Sequence, residues 1–302
     1  MVEHAGDSKV ILITGTSSGI GLYTAVELAR RGHRVFASMR HLGRSGDLQA
    51  AATDAGVAID LVELDVRSQE SAQQAVAHVV SVAGRLDVVV NNAAVATYAP
   101  IEFTSIDAAT TMFDTNVLGP VRVVQAALPV MRRQGTGRIV NVGSVASEPR
   151  LGFRLLGLYG ATKAALHSLS LELNKELAPL GIEVVLCEGD IGGRTAMFDG
   201  LDEGIARFGQ GEGAYSRVET TARVFADVLN AQATAPVAAA NVIADASTLP
   251  TPGLRHPRSA QAPIDAVRLM RDDDFLRLCA YDPDAIAITQ QYDPVPSLWT
   301  VG

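Results

Sequence analysis

Short apolar runs alternate with longer amphipathic stretches, and this alternation limits the fold more than any other feature of the sequence. Six apolar runs occur, at residues 10–14, 34–38, 59–66, 87–91, 138–142 and 183–187. Between them, helical spacing predicts helices near 18–31, 47–56, 68–84, 104–133 and 159–179. Strands that are apolar on both faces and separated by helices imply a parallel sheet covered on both sides. Right-handed crossovers then predict a doubly wound, Rossmann-like α/β fold.

The last third of the chain has a different pattern. It is rich in alanine, with helices predicted near 215–232, 236–247 and 262–280 and a proline-rich break at 249–257. No linker separates this region, so we predict one Rossmann-like domain over residues 1–302, in which 190–302 form a substrate lid and C-terminal helices. The glycine-rich segment 196–215, with Met197, Phe198, Phe208 and Tyr215, is the predicted lid. The alternative is a loop that does not touch substrate.

Charge and composition exclude several function classes. The formal net charge of −8 argues against nucleic acids and anionic membranes as partners. No apolar run is long enough to span a bilayer, and residues 1–9 lack the apolar core of a signal peptide, so we expect a cytoplasmic protein. The two cysteines and six histidines lack metal-ligand spacing, so no metal site is predicted.

A glycine-rich turn follows the first predicted strand and opens the first predicted helix. Its sequence from Thr14 to Gly21 is Thr-Gly-Thr-Ser-Ser-Gly-Ile-Gly. Glycine lets a backbone approach a pyrophosphate closely, and a helix N-terminus offers free N–H groups and the positive end of a dipole. We therefore predict that this turn binds the phosphates of a dinucleotide, rather than being an ordinary βα turn. The predicted contacts are Gly15, Ser17, Ser18, Gly19, Ile20 and Gly21.

Tyr159 and Lys163 form the strongest chemical signal in the chain. A spacing of four residues places the two side chains on one face of a helix. A nearby ammonium and an oxidised nicotinamide would favour the phenolate of a tyrosine that otherwise titrates near pH 10. Ser144 lies at the end of the fifth predicted strand, where its hydroxyl would hold a substrate oxygen beside Tyr159. Ser147 is the competing candidate for that role. The alternative for the Tyr–Lys pair is a packed amphipathic helix.

Asn116 lies four residues before Pro120 inside a predicted helix. Proline has no N–H to donate to the carbonyl four positions back, and its ring pushes that carbonyl aside. The Asn116 carbonyl is therefore predicted to be free for a water molecule. The alternative is that Pro120 only bends the helix around the core.

With its Gly-x-x-x-Gly-x-Gly turn, its Asn-Asn-Ala-Ala segment at 91–94 and its Tyr-x-x-x-Lys motif, the chain resembles the short-chain dehydrogenase/reductase family. The resemblance covers residues 8–200, and extends more weakly to about 280. It implies that Tyr159 is the general acid or base and that Lys163 holds the nicotinamide ribose. It also assigns Ser144 to the substrate oxygen and Asn116 to a proton relay.

The resemblance also implies further cofactor contacts. Asp65 and Val66 match the position that binds the adenine amino group, although Asp65 could instead cap the following helix. Asn92, Ala93 and Ala94 match the turn beside the adenosine ribose, with Ala94 replacing the usual glycine. After the sixth predicted strand, Glu188 stands where the family usually has the proline of a Pro-Gly pair. There the predicted nicotinamide contacts are Gly189, Ile191 and Thr195.

Arg40 decides the expected cofactor. An acid at the end of the second strand would bind the adenosine ribose hydroxyls and repel a 2′-phosphate. Residues 36–41 contain no acid, whereas the Arg40 guanidinium suits a phosphate. The pattern predicts NADP(H), unless Arg40 is only a solvated surface residue.

The segment 254–257 is similar to family members related to 17β-hydroxysteroid and retinol dehydrogenases. This similarity implies a ketone or secondary alcohol that is mostly apolar, such as a steroid, polyketide or terpenoid. The family also implies a homodimer or homotetramer. Three rival functions are a catalytically silent, cofactor-binding regulator, an epimerase or dehydratase of the extended branch, and a carrier or structural module that uses the fold without chemistry. The complete catalytic set argues against the first, and the glycine spacing argues against the second.

Overall fold

A parallel sheet forms the centre of the protein. The computed structural model describes residues 8–147, 155–187, 236–250 and 252–256. The strands are β1 (Val10–Thr14), β2 (Arg34–Met39), β3 (Asp60–Glu63), β4 (Val88–Asn91), β5 (Gly137–Val142), β6 (Ile182–Cys187) and β7 (Arg255–His256). Their order in the sheet is β3-β2-β1-β4-β5-β6-β7, and every pairing is parallel. The predicted doubly wound α/β fold is confirmed, with its switch in strand order between β1 and β4.

Helices cover both faces of the sheet. They are α1 (Gly19–Arg30), α2 (Gly46–Ala55), α3 (Gln69–Ala83), α4 (Ile106–Phe113), α5 (Gly119–Gln134), α6 (Gly157–Leu177) and α7 (Pro236–Thr248). Alternate residues of β1 enter different cores: Val10 and Leu12 pack with α3 and α5, whereas Ile11 and Ile13 pack with α1, α2 and α7. This period-two alternation explains why the strands are apolar throughout.

Three elements differ from the sequence-based expectations. The third strand is shorter than the predicted 59–66, so Asp65 and Val66 lie in the loop that follows it. The predicted helix 104–133 is divided into α4 and α5 by a π-helical segment, Asp114–Leu118. Strand β7 lies in the region predicted as a proline-rich break, and its two residues are too few to show a period of two. The helix predicted near 236–247 is present as α7.

Some predicted elements fall outside the described residues. These are the lid at 196–215 and the helices near 215–232 and 262–280. Within the described ranges, no helix is both long enough and apolar enough to cross a membrane. The same ranges contain no group of three His, Cys, Asp or Glu side chains placed to hold a metal ion.

Candidate active site

The phosphate turn depends on glycine at three positions. Gly15 and Gly19 adopt positive φ angles of 73° and 61°, which residues with a side chain rarely adopt. A Cβ on Gly21 would lie 2.3 Å from the Gly15 carbonyl oxygen, and one on Gly15 would lie 2.7 Å from Ala93 Cα. The turn is therefore pressed against both the start of α1 and the end of β4.

The N-terminus of α1 has no side-chain cap and no acidic residue in its first turn. Ser18 is the N-cap residue, yet its side chain makes no capping hydrogen bond. Ser17 is half-buried and Ser18 is exposed, while Ile20 packs against the core beneath the turn. Backbone N–H groups at a helix N-terminus with no side-chain acceptor suit a bound phosphate.

Asn92 fastens the turn to the neighbouring strand. Its Nδ2 donates to the carbonyl oxygens of Thr14 and Gly15, both at 2.9 Å. The Thr14 hydroxyl oxygen accepts from the backbone N–H groups of Asn92 and Ala93, both at 3.0 Å. Ala94 follows, partly exposed. These bonds hold the carboxyl ends of β1 and β4 together where the strand order switches.

Arg40 and Asp65 lie at the outer end of this edge. Arg40 is exposed immediately after β2, and its charge helps to lower the pKa of Asp65. The main cause of that lowering is Arg67, whose Nη2 and Nε donate to the two Asp65 carboxylate oxygens at 3.0 and 3.2 Å. The suggestion that Asp65 caps α3 is wrong, because the N-cap is Ser68, whose Oγ accepts the Ser71 N–H at 3.1 Å.

Tyr159 lies in a buried apolar cluster near the start of α6. It is 6% exposed and packs with Tyr98, Met112, Leu155 and Leu156. Burial raises the pKa of Tyr159 to about 12, and a side-chain hydrogen bond with Ser144 acts more weakly in the opposite direction. The sequence-based expectation of a lowered pKa therefore does not describe the chain without cofactor, because desolvation of the phenolate outweighs the favourable contacts.

Ser144 makes a side-chain hydrogen bond with Tyr159. Ser144 Oγ also accepts the Ala146 N–H at 3.1 Å, which fixes the side chain above the end of β5. The loop approaches α6 closely here, since a Cβ on Gly160 would lie 2.8 Å from the Ala146 carbonyl oxygen. The geometry thus brings the predicted serine and tyrosine into direct contact.

Lys163 is buried one turn further along α6. Its side chain reaches the Val142 carbonyl oxygen, to which Nζ donates at 2.8 Å. Nζ also lies 5.7 Å from the centroid of the Tyr159 ring. Burial lowers the pKa of Lys163 to about 8, because the ammonium is removed from water.

Asn116 lies inside the π-helical segment and uses its side chain to hold two other elements. Its Oδ1 accepts the Val95 N–H and its Nδ2 donates to the Val95 carbonyl, both at 2.8 Å. Nδ2 also donates to Thr162 Oγ1 at 3.0 Å. Pro120 follows the segment near the start of α5, and the regular helical bonding pattern is interrupted just before it, since the Gly119 N–H bonds to the Asp114 carbonyl five residues back. The role of the Asn116 carbonyl remains a prediction.

Three residues of the site gave no signal in the sequence. Tyr98 is 4% exposed beside Tyr159, and burial, then the neighbouring Tyr159, raise its pKa. The fold brings Thr162 to Asn116, 46 positions away, whereas Arg67 contacts Asp65, two positions away, through the conformation of its side chain. The predicted nicotinamide contacts Gly189, Ile191 and Thr195 lie outside the described residues.

A glycine turn at the switch point of a parallel sheet, with a Ser–Tyr–Lys group after β5, defines the class of Rossmann-fold oxidoreductases. The family model for short chain dehydrogenases matches residues 9–204. The chain therefore belongs to the short-chain dehydrogenase family.

Curated relatives include retinol dehydrogenase 8 from Bos taurus, 40% identical over 60% of this chain and 58% of that protein. The 17-beta-hydroxysteroid dehydrogenase type 1 of Mus musculus is 35% identical over 83% of this chain and 73% of that protein. The alignment with the bovine relative thus spans little more than half of its length.

Similar solved structures carry different nicotinamide cofactors. A short-chain dehydrogenase from Streptomyces avermitilis has a TM-score of 0.70 at 30% identity and covers 96% of this chain and 100% of its own. An actinorhodin polyketide ketoreductase with NADPH has a TM-score of 0.68 at 30% identity, covering 80% and 91%. An NAD⁺-bound xylitol dehydrogenase has a TM-score of 0.69 at 26% identity, covering 80% and 92%.

Proposed function

We propose that the protein is an NADP(H)-dependent oxidoreductase that interconverts a mostly apolar ketone and its secondary alcohol, with Tyr159 as general acid and base. The observation that carries this proposal is the convergence of Ser144, Tyr159 and Lys163 past the carboxyl end of β5. The phosphate turn lies past the carboxyl end of β1 in the same parallel sheet. Cofactor and substrate would therefore meet at one edge.

The residues of the turn fit a dinucleotide. The open N-terminus of α1 suits the pyrophosphate, and the bonds from Asn92 keep the turn in shape. Asp65 and Val66 would hold the adenine, Ala93 and Ala94 the adenosine ribose, and Gly189, Ile191 and Thr195 the nicotinamide. A bound nicotinamide would supply or accept the hydride.

Arg40 favours NADP(H) over NAD(H). It is the residue that follows β2, it is exposed, and no acid in residues 36–41 would repel a 2′-phosphate. The solved relatives carry either cofactor, so the preference is proposed from this chain's own residues.

Proton handling follows from the environment of Tyr159. A phenol whose pKa is raised to about 12 is protonated at neutral pH and can donate its proton to a carbonyl oxygen during reduction. Ser144 would hold that oxygen, and Lys163 would bind the nicotinamide ribose and favour the phenolate that remains. The Asn116 carbonyl would connect Lys163 to a water molecule. Oxidation would use the same groups in reverse.

The surroundings of Tyr159 support an apolar substrate. Apart from Ser144 and Lys163, the buried side chains that pack with Tyr159 are Tyr98, Met112, Leu155 and Leu156. The names of the curated relatives point to retinol and hydroxysteroid alcohols, which are large and apolar. We propose steroid-, polyketide- or terpenoid-like ketones and alcohols as the substrate class.

The test follows the absorbance of reduced nicotinamide with NADPH or NADH over a panel of apolar ketones, and with NADP or NAD over the matching alcohols. Activity should be found with NADP(H), and Tyr159→Phe should reduce kcat by about 10²–10⁴-fold with little change in cofactor binding. Tyr23→Phe, on the exposed face of α1, is the matched control and should behave like wild type. Tight cofactor binding without turnover of any substrate would instead support the silent regulator.

A further inference from the structure

The first turn of α6 carries Tyr159 but is poorly stabilised by its own sequence. The helix begins at Gly157 after Leu156, and no side chain caps it. Gly157 and Gly160 lie on either side of Tyr159 in the chain, and glycine disfavours a helix. Leu155, just before this turn, has a strained positive φ of 63°. The backbone at Tyr159 therefore needs support from outside its own helix.

Thr162, itself a residue of α6, connects that backbone to such support. Its side chain is fully buried, and Oγ1 donates to the Tyr159 carbonyl oxygen at 2.7 Å. The same Oγ1 accepts from Asn116 Nδ2 at 3.0 Å. The Thr162 hydroxyl therefore donates a hydrogen bond to the backbone of Tyr159 and accepts one from the π-helical segment.

Asn116 is itself held firmly. Its amide makes two 2.8 Å hydrogen bonds with the backbone of Val95, in the segment that follows β4. The path from Val95 through Asn116 to Thr162 therefore connects a segment next to the sheet to the carbonyl of Tyr159. Each step in this path is a direct hydrogen bond between described residues.

We propose that Thr162 is a positioning residue, whose hydroxyl anchors the backbone of Tyr159 to Asn116 and so keeps the phenol in contact with Ser144. The inference rests on the proposed function, because it assigns the purpose of the anchor to proton transfer by Tyr159. A displacement of about 1 Å at a reacting group can cost on the order of 10²-fold in rate.

The experiment compares Thr162→Val, which removes the hydroxyl at nearly constant shape, with Thr162→Ser, which keeps it. Thr24→Val is the matched control, since Thr24 is a fully buried threonine on α1 whose Oγ1 has no hydrogen-bond partner among the described residues. The readouts are kcat, the KM values for cofactor and substrate, and the pH profile of oxidation. Hydrogen exchange of the backbone amides at 157–163 is measured without substrate.

Thr162→Val should lower kcat by about 10–100-fold, with the KM for cofactor changed less than threefold. Its oxidation profile should move to higher pH, because a phenol displaced from Ser144 loses the bond that lowers its pKa. The amides at 157–163 should exchange faster. Thr162→Ser and Thr24→Val should match wild type in all four readouts.

Wild-type kcat and pH profile in Thr162→Val would overturn the inference. Equal impairment of Thr162→Ser would also overturn it, because the methyl group rather than the hydroxyl would then matter. Should Thr162→Val not fold, Thr162→Ala removes the same hydroxyl and is judged by the same criteria. If the wild-type protein turned over none of the substrates, that result would count against the proposed function alone. Hydrogen exchange in Thr162→Val would then decide whether the Thr162 hydroxyl anchors the backbone of Tyr159.

Discussion

The phosphate turn and the first turn of α6 lie at the two ends of the candidate site, and the backbone of each is kept in place by a different means. The phosphate turn relies on absent side chains, since Cβ atoms on Gly15 and Gly21 would overlap neighbouring backbone. The start of α6 contains glycines as well, yet it is held by a side chain, Thr162. A turn built on glycine is visible in its own sequence, whereas a helix anchored by distant partners is not.

Gly21→Ala should have the largest effect among changes that test this comparison. The added Cβ would lie 2.3 Å from the Gly15 carbonyl oxygen and 2.4 Å from Asn92 Nδ2, so both the turn and its fastening must shift. Cofactor dissociation constants, measured by titration, should rise by about 100-fold, and overpacking of this kind costs about 1–3 kcal/mol of stability.

Gly46→Ala is the control for this change, because a Cβ there meets no atom within 4 Å. It should leave cofactor affinity unchanged. Equal affinities for Gly21→Ala and Gly46→Ala would show that the turn is not built on the absence of side chains.

Arg40→Ala should have the next largest effect, and it should act on affinity without altering the shape of the turn. Loss of a charge-assisted bidentate contact with the 2′-phosphate should raise the KM for NADPH by about 10–100-fold and leave that for NADH nearly unchanged. Arg132→Ala, which removes an exposed arginine at the end of α5, is the control. An equal rise in KM for both cofactors would mean that Arg40 acts through its general electrostatic field rather than through a contact with the 2′-phosphate.

The sheet, the phosphate turn and the Ser144–Tyr159–Lys163 group follow from local signals: apolar periodicity, glycine spacing and the four-residue repeat of a helix. Pro120, which removes one backbone donor, predicted a break in the helical bonding near Asn116, but the π-helical form of the segment was not predicted.

Other features depend on contacts that no local pattern encodes. Thr162 meets Asn116 across 46 positions of sequence, and the bond from Arg67 to Asp65, although only two positions apart, depends on the side-chain conformation of both residues. The raised pKa of Tyr159 was missed for the same reason, since it results from burial by segments such as the one that carries Tyr98. Sequence patterns indicate which groups are present, whereas the desolvation of those groups is a property of the assembled fold.

The buried ammonium of Lys163, at the catalytic end of the site, should make the stability of the protein depend on pH. Its pKa is about 8 in the folded chain and near 10.5 when unfolded, so between these values the unfolded state binds more protons. Stability should therefore rise with pH in this window. The effect, relative to Lys163→Met, is on the order of 2 kcal/mol between pH 8 and 10.

Urea unfolding of both proteins across this range measures the difference. The pKa of Lys9 is also lowered, but Lys9 is present in both proteins, so its contribution to the difference in stability cancels. Lys175→Met, at a largely exposed position of α6, should keep the wild-type slope. Parallel stability curves for wild type and Lys163→Met would contradict the buried, desolvated ammonium.

Ser68→Ala should have the smallest effect, and it tests the contrast between a capped helix and an anchored one. Helix α3 has the side-chain cap that α6 lacks, because Ser68 Oγ accepts the Ser71 N–H at 3.1 Å. Its loss should cost about 1 kcal/mol of stability in urea unfolding, whereas kcat should remain that of wild type because Arg67 still holds Asp65. Ser81→Ala, an exposed position on the same helix, is the control. A fall in kcat for Ser68→Ala would mean that helix ends remote from Tyr159 also set the geometry of the reaction, and the special role given to the start of α6 would be lost.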